Sequence, residues 1–372
     1  MPAPAMQDAD RLLDGMRRWV EFETPTGRVD ALSALVDHIA AEAAAAGARC
    51  ERIAGRDGMG DHLVVRFAGG PGPGILSVCH LDTVCPPGSV PMRREGDRFH
   101  GPGIADMKGG GYLAFAAARA VAASGATMPG PLTIIYNSDE EIGSPTSRDI
   151  IQAEARKVGC ALIPEPARRD EVITFRKGRA KYRIDFHGRE AHAGSAFADG
   201  RSAISAMARA IATLDGMTDP GAGTTVNVGS VAGGTEPNVV AGRAHCTVDV
   251  RFADNARGEA VDRAIRGLAP AGPDIRIEVA GEIEKPCLER SAGTVALYER
   301  ARALGLELGF ELAETASGGG SDGNYTSAVG TPTLDGLGAI GNDWHSPGEY
   351  IVVSALPRRE RLLRDLYLTL GG

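Results

Sequence analysis

Three short apolar runs, each followed closely by an acidic or imidazole side chain, set the tightest limit on how this chain can fold. Ile75–Cys79 runs into His80 and Asp82, Leu132–Asn137 into Glu140 and Glu141, and Ala161–Pro164 into Glu165. A run that is apolar without alternation predicts a strand covered on both faces rather than one. Between these runs lie helical patterns. Asp8–Val20 places Leu12, Leu13, Met16 and Trp19 at helical spacing, Asp30–Ala46 repeats the pattern up to Gly47, and Lys108–Ser124 predicts a strong helix of mostly small residues. His62–Phe67 reads as a further short strand, and Gly69–Gly74 as a turn cluster. Strands alternating with helices at this pitch predict an α/β fold with a mixed, mostly parallel sheet flanked by helices.

The pattern changes near Gly178. Ala180–His187 alternates like a half-exposed strand, Ser202–Leu214 is an amphipathic helix, and Thr224–Val231 and His245–Phe252 are strands. Gly258–Leu268 then reads as a helix and Asp274–Val279 as a strand, giving the ferredoxin-like order β-α-β-β-α-β. After Glu284 the chain returns to helix over Thr294–Leu308, passes a glycine-rich loop and ends in a helix over Ser354–Leu370. The expected organisation is a discontinuous domain, 1–177 and 285–372, with a smaller domain, 178–284, inserted into it.

Composition removes several classes. Lys plus Arg number 40 against 48 for Asp plus Glu, a net charge of −8, so a partner held by phosphate neutralisation is not expected: no nucleic acid. The apolar-leaning stretch Tyr112–Ala123 contains Arg119 and falls short of the ~18 residues a span requires, so no membrane is expected either. The first residues lack a basic region followed by an apolar run. Six scattered cysteines without a C-x-x-C pair fit reduced thiols, and the expected compartment is cytoplasmic.

Open α/β sheets bind ligands beyond the carboxyl ends of their strands. His80, Asp82, Glu140, Glu141 and Glu165 follow strands, Asp106 directly precedes the Lys108–Ser124 helix, and His345 sits in Asp343–Pro347. Each alone has an ordinary explanation: a helix-capping acid, a solvated pair, a hydrogen-bonded histidine. Together, at one sheet edge, they leave a metal site and these ordinary readings both open. Adjacent residues on an extended segment face opposite ways, so one of Glu140 and Glu141 could bind metal while the other faces substrate.

The segments Ser77–Val84, Gly101–Gly110, Asp139–Ser144 and His192–Gly194 resemble, in the same order, the aminoacylase/glutamate carboxypeptidase family of di-zinc hydrolases, metallopeptidase family 20. The resemblance covers nearly the whole chain and runs closest to the glutamate carboxypeptidases. It implies a catalytic domain of 1–177 and 285–372 and a dimerisation and lid domain of 178–284, in a homodimer. It implies two Zn²⁺ ions, which Co²⁺ or Mn²⁺ could replace, with Asp106 bridging them, His80 and Glu165 completing one site and Glu141 and His345 the other. It assigns Glu140 as general base, Asp82 as the group fixing the His80 tautomer, and His192 as an oxyanion donor. A cis peptide after Asp106 is also implied.

Asn238 and Arg251, thirteen residues apart, match positions that hold the substrate's terminal carboxylate in glutamate carboxypeptidases, and Gly318 and Gly319 lie in a loop resembling the family's glycine loop near substrate. A planar Arg fork suits a carboxylate, although a strand salt bridge would explain Arg251 equally. The Lys that holds a glutamate side chain in those relatives has no clear counterpart; Arg168, Arg176 or Lys177 could replace it. The implied activity is amide hydrolysis of a peptide or N-acyl amino acid with a free α-carboxylate. Alternatives are a dipeptidase, an N-acetyl- or N-succinyl-amino-acid deacylase, or a catalytically silent ligand-binding oligomer.

Overall fold

The computed structural model describes residues 8–370 apart from residue 271, in two compact units. The first comprises Met1–Phe175, Leu288–Ser317 and Ser321–Gly372; the second comprises Arg176–Cys287 and Gly318–Gly320.

The first unit is built on a six-stranded sheet. Its order is Arg49–Ile53, His62–Phe67, Leu132–Asn137, Gly74–His80, Val158–Leu162 and Thr333–Leu334. The first two joins are antiparallel, and the remaining three are parallel. The expected mixed, mostly parallel α/β sheet is what forms. Gly74–His80 and Leu132–Asn137 are buried at every position, as continuous apolar runs in a covered sheet require.

The helix Gly109–Ser124 packs small residues against this sheet, with Trp19 of the Ala9–Val20 helix seated beside it. The Trp19 ring meets Tyr112 edge-on at 5.3 Å and Tyr136 at 5.6 Å between centroids. Gly110 is required there: a Cβ would fall 1.8 Å from the Pro164 carbonyl oxygen. The helix start therefore sits directly against the segment that delivers Glu165. Asp8 caps the Ala9–Val20 helix by accepting from the amides of Asp10 and Arg11.

Two boundaries differ from the sequence reading in a useful way. The strand expected over Ala161–Pro164 is Val158–Leu162, so Glu165 leaves from a short extension beyond the strand. A small antiparallel sheet of Gly341–Asn342, Tyr350–Val352, Arg98–His100 and Arg93–Glu95 was not anticipated, because strands of two or three residues carry no readable period.

The second unit is a four-stranded antiparallel sheet ordered Thr225–Gly233, Arg243–Phe252, Gly178–His187 and Arg276–Lys285, with helices Ala203–Asp215 and Asn255–Arg266. Gly178–His187 and Arg243–Phe252 alternate buried and less buried residues, the signature of a sheet covered on one face. Among the described residues no helix is long and apolar enough to cross a membrane.

Candidate metal centre

Three adjacent strands, Leu132–Asn137, Gly74–His80 and Val158–Leu162, run parallel, so their carboxyl ends open at one edge. His80 is the last residue of the middle strand. Glu140 and Glu141 open a single helical turn, Glu140–Ile142, past one neighbour, and Glu165 follows the other. Asp106 arrives from the loop before the Gly109–Ser124 helix, across a cis Asp106–Met107 peptide. His345 arrives from the turn before Tyr350–Val352, with φ of 62°.

These residues converge as two groups sharing one member. Ligand atoms of His80, Asp106 and Glu165 all lie within 4.8 Å of one another, and so do those of Asp106, Glu141 and His345. Asp106 faces both: Oδ1 is 3.0 Å from His80 Nε2, and Oδ2 is 3.2 Å from His345 Nε2. His80 Nε2 is 3.9 Å from Glu165 Oε1, and His345 Nε2 is 3.3 Å from Glu141 Oε2.

The donor set fits cations. Three carboxylates converge on two imidazoles, and Glu141 Oε1 is buried with no hydrogen-bond partner, a costly state for a carboxylate oxygen without a cation beside it. The local pKa shifts report the same crowding. Burial, with the nearby Asp106 charge, pushes Glu141 up to about 7 despite its hydrogen bond with His345. Hydrogen bonds to Asp106 and Glu141 raise His345 to about 10. Burial would lower His80, but its carboxylate partners Asp106 and Asp82 hold it well above the ordinary imidazole range. Burial opposes ionisation of Asp106, yet the two histidines drive it well below the carboxylate range. Oxygen and imidazole nitrogen donors without thiolate suit borderline divalent ions.

Asp82 meets His80 through its main chain as well as its side chain. His80 Nδ1 sits 2.9 Å from the Asp82 main-chain carbonyl, while the Asp82 carboxylate lies 3.6 Å away. It is the carbonyl that makes the short contact and selects the Nδ1–H tautomer, leaving Nε2 for the centre. The buried carboxylate accepts instead from the amides of Glu140 and Glu141, at 3.1 and 3.2 Å, and from the Thr26 hydroxyl at 2.8 Å. It thereby fixes the turn that carries both glutamates.

The remaining candidates belong to the second unit. His192 Nδ1 accepts from the amides of Gly194 and Ser195, both at 3.1 Å, which places the proton on Nε2 of an exposed ring. Asn238 is brought beside it, since its carbonyl accepts from Ala193 N at 2.8 Å. Arg251 forms the strand salt bridge weighed above, donating to Asp249 at 2.8 and 3.2 Å. Gly318 and Gly319 are exposed, and the Gly319 carbonyl accepts from Arg176 at 3.3 Å.

Sequence reasoning missed Glu349 altogether. It is buried, and its carboxylate accepts three main-chain amides of the Asp106 loop. Burial raises its pKa, and those amides pull it back. Its only sequence signal is an acid four residues beyond His345, entering the apolar stretch Tyr350–Val353.

Two candidate metal-ligand groups that share Asp106 lie at the carboxyl edge of an α/β sheet, and comparison with known proteins identifies the family. The profile of Peptidase family M20/M25/M40 matches residues 76–369. Carboxypeptidase G2 of Pseudomonas sp. (strain RS-16) is 30% identical over 99% of this chain and 91% of its own length. Acetylornithine deacetylase of Myxococcus xanthus is 28% identical over 88% of this chain and 90% of its own. Aminopeptidase PepT from Bacillus cereus ATCC 10987 superposes with a TM-score of 0.78 at 22% identity, covering 98% of this chain and 99% of that one. The chain belongs to Peptidase family M20/M25/M40. It is a hydrolase acting on C–N bonds.

Proposed function

We propose that the chain is a di-zinc amidohydrolase that releases an amino acid bearing a free α-carboxylate from an N-acyl or N-peptidyl substrate. The observation that carries this reading is Asp106, whose two carboxylate oxygens face two separate ligand groups. His80 and Glu165 would hold one ion with Asp106, and Glu141 and His345 the other. When bound, a pair of divalent cations polarises a carbonyl oxygen and lowers the pKa of water toward ~7.

The protein's own groups do the rest. Glu140, on the turn fixed by Asp82, takes the proton from the attacking water and returns it to the leaving nitrogen. Glu141, its neighbour, is given to metal. His192 offers an Nε2–H to the developing oxyanion. Asn238, Arg251 and the amides of Gly318 and Gly319 hold the substrate's α-carboxylate. Carboxypeptidase and deacetylase relatives of similar identity support amide hydrolysis in common and leave the acyl group as the second variable. The second unit is assigned the homodimer contact, and the compartment is assigned as cytoplasmic.

The test is a panel of N-acyl amino acids, dipeptides and their N-blocked forms, assayed with metal-replete protein. Turnover of N-acyl or N-blocked substrates supports the proposal. A strict need for a free amine converts it to a dipeptidase, and no turnover of any substrate sinks it.

A further inference from the structure

We infer that Glu349 is a positioning residue that fixes the spacing of the metal centre, by clamping the loop that presents Asp106 against the turn that presents His345. The inference rests on the metal-centre reading above and concerns a residue outside the ligand set.

The strand pairing sets up the contact. Arg98–His100 and Tyr350–Val352 pair antiparallel, with His100 opposite Tyr350. The chain leaving His100 and the chain entering Tyr350 therefore lie side by side at one end of the pair. The first continues through Gly101–Asp106, and the second descends from His345 through Gly348 to Glu349. Both ligand segments thus start from neighbouring positions, and Glu349 is the side chain between them.

Its carboxylate is used on both oxygens. Oε1 accepts from the amides of Ala105 at 2.8 Å and Asp106 at 3.0 Å, while Oε2 accepts from Gly103 at 3.0 Å and faces Cys85 Sγ at 3.7 Å. One of these donors is the amide of Asp106 itself. Glu349 is 1% exposed, so no water replaces it readily. Gly103 lets the loop turn this tightly: its φ is 69°, and a Cβ there would fall 2.4 Å from Thr83 Cγ2. On the other side, Ser346 closes the His345 turn, its hydroxyl donating to Asp343 O at 2.6 Å and accepting from Gly348 N at 3.2 Å. The His345 turn is rigid in itself, the Asp106 loop is pinned by three charge-assisted bonds, and one carboxylate joins them. Asp106 must meet both groups within ångströms, so an error in this spacing would be felt by both ions.

The experiment uses the full-length chain with Glu349→Gln and Glu349→Asp. Glutamine keeps the shape but sets an N–H₂ against a main-chain N–H on one side. Aspartate keeps both acceptors on a shorter stem. The readouts are Zn²⁺ affinity by chelator competition, ions bound per chain, the visible absorption of the Co²⁺-loaded protein, and circular dichroism of the metal-free protein. The expected result is a 10- to 100-fold weaker affinity for Glu349→Gln with a changed Co²⁺ spectrum and an unchanged metal-free fold, and partial recovery in Glu349→Asp. Wild-type affinity and spectrum in Glu349→Gln would overturn the inference. So would loss of the metal-free fold in both variants, which would make Glu349 a folding residue only. If the wild-type chain itself binds no ions, the metal-centre reading fails first and this inference falls with it. Two ions in the wild type with an indistinguishable Glu349→Gln removes this inference alone.

Discussion

Among the described residues, acids and histidines meet on the sheet of the second unit and at the carboxyl edge of the first, under different conditions. On the sheet of the second unit, His187 Nε2 lies 3.0 Å from Glu278, and Asp185 takes both a 2.9 Å Nε and a 2.9 Å Nη2 contact from Arg183. These pairs are partly or largely exposed, and each carboxylate has its cation or imidazole. At the carboxyl edge of the first unit, Asp106, Glu141 and Glu165 are held almost dry around two imidazoles, and one Glu141 oxygen has no hydrogen-bond partner. The same residue types produce a solvated surface in one place and an unbalanced buried charge in the other. The difference is desolvation, which makes a missing partner expensive at the buried edge of the first unit and nearly free on the exposed sheet of the second.

The sharpest form of the contrast is within a dipeptide. Glu140 and Glu141 are adjacent, and Asp82 holds both amides, yet they are assigned opposite tasks. Glu140→Gln should lower kcat by ~10²–10⁴-fold, the range for a lost general base, while two ions remain bound. Steady-state kinetics with elemental analysis checks both halves. Loss of metal from Glu140→Gln would assign Glu140 to the ligand set instead.

The shared carboxylate makes the next prediction. Asp106→Ala should release both ions, whereas His345→Ala should chiefly weaken the one shared with Glu141, since His80 and Glu165 remain with Asp106 in the other group. Chelation of the wild type should abolish turnover and lower Tm, because a ligand that binds only the folded state stabilises it by mass action. Metal counts and thermal unfolding of the two variants, side by side, decide the matter. Equal loss from both would mean the two groups do not act as separable sites.

Part of this was readable from sequence, and the reason is physical. Central parallel strands are apolar on both faces, so Ile75–Cys79 and Leu132–Asn137 stand out, and a polar residue at their carboxyl ends is an anomaly. The edge strand Arg49–Ile53 mixes charged residues into an exposed pattern and gave no such contrast. Arg98–His100 and Tyr350–Val352 are too short to show a period, and they are the elements that bring Glu349 to the Asp106 loop. The main-chain contact of Asp82 is hidden for a related reason. The short bond from His80 is to its main-chain carbonyl, which sequence does not display.

A buried acid with a cation offers a smaller contrast to Glu141. Glu154 is 7% exposed and bonded through both oxygens to Arg66 at 2.7 and 2.9 Å. Its pKa is lowered to about 2, chiefly by the Arg66 hydrogen bonds. Because the folded value lies below the unfolded ~4.3, this pair contributes stability above that pH and loses it as pH falls toward about 2. Glu154→Gln should therefore destabilise at pH 7 and flatten the acid limb between about pH 4 and 2. Parallel acid-limb curves for wild type and variant would show that Arg66 gains nothing from the charge.

The smallest expected effect is on the surface pair. His187 and Glu278 sit on neighbouring strands, with Glu278 about half exposed. Exposed pairs contribute about 0–1 kcal/mol, and Glu278 also has Arg276 beside it. Glu278→Gln should shift stability by no more than that and should leave metal content untouched. Denaturant unfolding of wild type and variant, with metal analysis, tests it. A change in bound metal would mean that desolvation does not separate the two regions, and that the acids of the second unit contribute to the chemistry after all.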